Sequence, residues 1–61
     1  MENNYTLRII DAASVTLMLA CFVSLSDARA AFRFHAEHTR AGLTLELWDN
    51  EAETIIDTTK F

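Results

Sequence analysis

Residues 24–42 read Ser24-Leu25-Ser26-Asp27-Ala28-Arg29-Ala30-Ala31-Phe32-Arg33-Phe34-His35-Ala36-Glu37-His38-Thr39-Arg40-Ala41-Gly42, and they carry the one clear helical period in the chain. A serine hydroxyl at the start can accept from the free amides of a first turn, and Asp27 complements the positive end of a helix dipole. The spacing predicts a helix from about Asp27 to Arg40. Ala28, Ala31, Phe32, His35 and Thr39 share one stripe, while Arg29, Arg33, Glu37 and Arg40 fall on the opposite, water-facing side. Gly42, the only glycine, stands where a left-handed C-terminal cap is needed.

On either side of this helix the period changes to two. Upstream, Tyr5, Leu7 and Ile9 alternate with Thr6 and Arg8, which predicts a half-buried strand over residues 5 to 11. After the polar break Asp11-Ala12-Ala13-Ser14, residues Val15, Leu17, Leu19, Cys21 and Val23 take one face, and Thr16, Met18, Ala20 and Phe22 the other. This segment reads as a second strand, although its length also admits a short buried helix. Downstream, Leu43, Leu45 and Leu47 alternate with Thr44, Glu46 and Trp48; Asp49-Asn50-Glu51-Ala52 then turns the chain into a fourth strand near Glu53 to Thr59.

The order ββαββ predicts an α+β fold over residues 1–61 as one small domain: a four-stranded, mainly antiparallel sheet with one helix across one face. One helix covers only one side of such a sheet. The uncovered side is expected to carry Ile10, Met18, Phe22, Trp48 and one of Ile55 or Ile56, an apolar surface of the kind that marks an interaction site.

Size and composition narrow the function classes. At 61 residues there is no room for a second domain, and a deep cleft would remove much of the core that folds a chain this small. With 51% hydrophobic residues the chain is too apolar to be disordered. A lone cysteine, Cys21, cannot form an internal disulfide, which makes the cytoplasm the expected compartment. The uncharged run from Ala12 to Ser26 raises the question of a signal peptide or membrane span. It is shorter than the roughly 20 apolar residues a spanning helix needs, and Glu2 and Asp11 precede it where a secretory signal carries positive charge.

No residue set has the spacing of a catalytic or metal centre. His35 and His38, at i and i+3 on the helix, supply two ligands where zinc normally takes three or four, and the expected roles are a core-edge His35 and an exposed His38. Cys21, between Ala20 and Phe22, is expected to be buried as a small hydrophobe rather than poised as a nucleophile. One glycine makes no phosphate-cradling loop. The expectation is a chain with no enzymatic activity, cofactor or metal.

Charge is the more informative feature. Nine acidic against five basic side chains give a net charge of −4, which argues against direct contact with nucleic acid or an anionic membrane and favours a basic protein partner. Arg29, Arg33 and Arg40 lie in the helix, whereas Glu46, Asp49, Glu51, Glu53 and Asp57 crowd the C-terminal hairpin with no Lys or Arg among them. A solvated surface explains such carboxylates, and so does a mimic of DNA phosphates set against a basic groove. Trp48 beside Asp49 is the sole tryptophan; alternation sends it away from the leucine face, where indole can serve as an interface anchor.

In size, acidity and layout, with the acidic run Glu46 to Asp57, the segment Leu43-Thr44-Leu45-Glu46-Leu47-Trp48-Asp49-Asn50 and no catalytic set, the chain resembles the small anti-CRISPR proteins encoded by phages and mobile elements. The resemblance implies a type I inhibitor that occupies a basic nucleic-acid-binding surface of a Cas effector, in some cases by mimicking DNA. Glu46, Trp48, Asp49, Glu51, Glu53 and Asp57 would then be the partner-binding residues. A second expectation is a homo-oligomeric or toxin–antitoxin-like subunit whose sheet faces pack through Met18, Phe22 and Trp48.

Overall fold

The computed structural model describes residues 4–61. Four strands and one helix follow in the order β1 (Tyr5–Ile10), β2 (Thr16–Phe22), α1 (Leu25–His38), β3 (Thr44–Asp49) and β4 (Thr54–Lys60). The strands form one sheet in the order β2-β1-β3-β4, with every neighbouring pair antiparallel. This is the expected ββαββ α+β fold. The first strand is central, so the chain leaving β2 must cross over β1 through α1 to reach β3 on its far side.

Two central strands hold the core. Leu7 stands opposite Leu47 and Ile9 opposite Leu45. All four side chains are buried together with Ala28 and Phe32 of α1. Tyr5, Met18, Phe22, Ala31, Ala36, Leu43 and Ile56 pack around this cluster. Ala28 has no exposed surface, and a side chain that small lets the helix settle closely onto the leucines.

Side chains opposite one another in an antiparallel pair share a face, so the central strands dictate the facing of the outer ones. Phe22, Ala20 and Met18 lie opposite Tyr5, Leu7 and Ile9 and therefore point towards the helix. This corrects the expectation that Met18 and Phe22 occupy the uncovered face. The β2 residues placed there are Thr16, Leu19 and Cys21, opposite Ile10, Arg8 and Thr6, while Leu17 falls in a register shift and has no partner on β1. Cys21, opposite Thr6, is correspondingly exposed rather than buried, because the face it shares carries no helix.

The turns are fixed by short-range hydrogen bonds. Asp11 Oδ1 accepts from the amides of Ala13 and Val15 at 2.9 Å each, while the Asp11 and Val15 backbones also pair, closing the β1–β2 hairpin around Ser14 at φ 65°. Ser24 caps α1 as expected, its Oγ accepting from the Asp27 amide at 3.4 Å. The helix ends earlier than its sequence period suggests. Thr39 is an extended C-cap whose hydroxyl donates to the His35 carbonyl. Gly42 does take a positive φ, of 90°, but it serves the turn into β3 and not the helix terminus. Its amide donates to the Phe61 carbonyl at 2.8 Å, joining the start of β3 to the end of β4.

At about 0.05–0.15 kcal/mol per residue, a domain of this size has only about 3–9 kcal/mol of net stability. Truncating one of the fully buried leucines costs about 2–5 kcal/mol through lost burial and the cavity left behind. Leu47→Ala is therefore expected to bring urea-induced unfolding close to zero denaturant. Asp11→Ala, which removes two turn hydrogen bonds, should lower the midpoint by an amount equivalent to about 1–2 kcal/mol.

Candidate partner-binding surface

The uncovered side of the sheet is organised in rows by strand register. One row runs Leu19, Arg8, Glu46, Thr58 across β2, β1, β3 and β4; the next runs Cys21, Thr6, Trp48, Ile55. Arg8 and Glu46 face each other across the two central strands, with Arg8 Nε 3.3 Å from Glu46 Oε1. The geometry there is that of an ion contact, not of a directed hydrogen bond. Glu46 Oε1 instead takes its hydrogen bond from the Trp48 indole, Nε1 donating at 3.0 Å. The Glu46 side chain is only 13% exposed, so Arg8 and Trp48 supply the partners that burial withdraws from water.

The indole is thereby held on the open face, half-buried, as alternation predicts. Thr6, Arg8, Leu19, Trp48 and Asn50 line a shallow depression of 260 Å³ there. Asn50 closes its rim, its Nδ2 donating to the Thr6 hydroxyl at 2.7 Å and its amide to the Asn4 carbonyl at 2.9 Å.

Beyond Trp48 the chain enters the β3–β4 turn. Asp49 Oδ1 accepts from the amides of Glu51 and Ala52 at 3.1 and 3.2 Å, so this carboxylate braces the turn as well as charging it. Glu53 adopts φ 56°, a left-handed conformation unusual for a non-glycine residue, which allows the tight return into β4. Glu51 and Glu53 are exposed.

The six residues singled out from the sequence thus divide. Trp48, Asp49, Glu51 and Glu53 come together at one end of the sheet. Glu46 lies mid-strand, matched by Arg8. Asp57 stands opposite Leu47 on the helix side and lines a depression of 180 Å³ with Arg29, Phe32, Arg33 and Ala36. The carboxylates therefore form no single rim. Sequence reading missed Arg8 and Leu19, the two residues that complete the Trp48 surface. Arg8 had a visible signal, a cation in the middle of an apolar strand, but its partner lies 38 positions away.

A third depression, of 460 Å³, opens at the opposite end between the β1–β2 turn and the β3–β4 ladder, where Asp11, Ser14, Gly42, Thr44 and Lys60 are among its lining residues. Neither a histidine nor the cysteine is among the residues lining these three hollows. Cys21 lies on the open face, whereas His35 and His38 ride on α1 on the other side of the sheet. His35 is half-buried, and exposed His38 stacks on Phe34 with ring centroids 4.4 Å apart. No three metal-ligating side chains converge among the described residues. Nor, among them, is any helix long and apolar enough to cross a membrane.

Replacing Arg8 by methionine should leave the Glu46 carboxylate without its cation and cost about 1–2 kcal/mol, between the values for exposed and buried ion pairs. Because Trp48 is the sole tryptophan, its fluorescence should change with the same substitution. An unaltered emission spectrum and midpoint would show that Glu46 does not need Arg8.

Comparison with family models, curated proteins and solved structures yields no match for this chain.

Proposed function

We propose that the chain is a non-enzymatic binding protein of the cytoplasm that covers a basic, nucleic-acid-binding surface of a larger complex, in the manner of the anti-CRISPR inhibitors it resembles. The observation that supports this reading is the junction of Trp48 with the turn carrying Asp49, Glu51 and Glu53. There a large apolar ring on an uncovered face adjoins a run of carboxylates that contains no cation. Exposed charge of one sign accelerates encounter with a surface of the opposite sign, and a partly buried aromatic slows release. The charged contribution comes from three carboxylates rather than five, since Glu46 is matched by Arg8 and Asp57 faces the arginines of α1.

The test is binding of a type I Cas effector to its target duplex, followed by mobility shift with the chain present. Inhibition is expected. Glu51→Lys combined with Glu53→Lys should weaken it about 10-fold or more at low salt, with the difference shrinking as ionic strength rises. Undiminished inhibition by that folded variant would rule out the acidic turn as the contact.

A second reading is favoured by a separate observation. Val15, Leu17, Leu19 and Val23 are 53%, 52%, 59% and 52% exposed, an apolar set along one edge of a very small domain. They support a self-associating subunit, built on a different set of residues from Met18 and Phe22.

A further inference from the structure

We draw no further inference here: the strongest candidate, the hollow of 180 Å³ on the flank of α1 where Arg29 and Arg33 stand one helical turn apart beside Phe32 and Ala36, carries nothing, because both arginines are exposed, Asp57 lines the same hollow, and nothing in the structure shows what occupies it.

Discussion

The structure depends on the contact between the central strands: Leu7 against Leu47 and Ile9 against Leu45, beneath Ala28 and Phe32. These six residues form the buried core of the described chain. A domain this small has little surplus stability, so the facing of these leucines is an obligatory choice. Once they turn towards α1, alternation places Thr6, Arg8, Glu46 and Trp48 on the other side. The make-up of the open face is a by-product of how the core is packed.

The same constraint explains how charge is distributed. Arg8 and Glu46 would each be costly in the middle of a sheet, but the register brings them face to face and the indole satisfies the same carboxylate oxygen. Asp57, sent to the helix side by its position opposite Leu47, meets the flank of α1 where Arg29 and Arg33 project. The excess of negative charge is left at the β3–β4 turn, where Asp49 combines an electrostatic and a structural role. A basic partner would therefore encounter a localised acidic tip beside an aromatic ring, a narrower feature than the composition suggests.

One helix on a four-stranded sheet also leaves two edges and one face to be managed. The β4 edge is guarded by charge and irregular pairing, while β2 presents unguarded backbone flanked by aliphatic side chains. In so small a domain such an edge adds apolar surface that folding alone does not bury.

Much of this was legible in the chain. The period of α1, the serine cap, the alternation in β1 and β3 and the outward direction of Trp48 all follow from local stereochemistry, because each segment has one apolar side and one polar side. In β2 both sides are apolar, so no local signal could choose between Met18 and Phe22 on the one hand and Leu19 and Cys21 on the other. Only pairing with β1 made that choice, and with it Cys21 became exposed. Gly42 showed a similar limit: its need for positive φ was evident, but Thr39 ended the helix first. The amino-acid sequence determined the elements and their amphipathic faces because those depend on near neighbours. The strand order, the facing of β2 and the matching of Arg8 with Glu46 were decided by the tertiary structure, since each depends on residues distant in the chain meeting across the sheet.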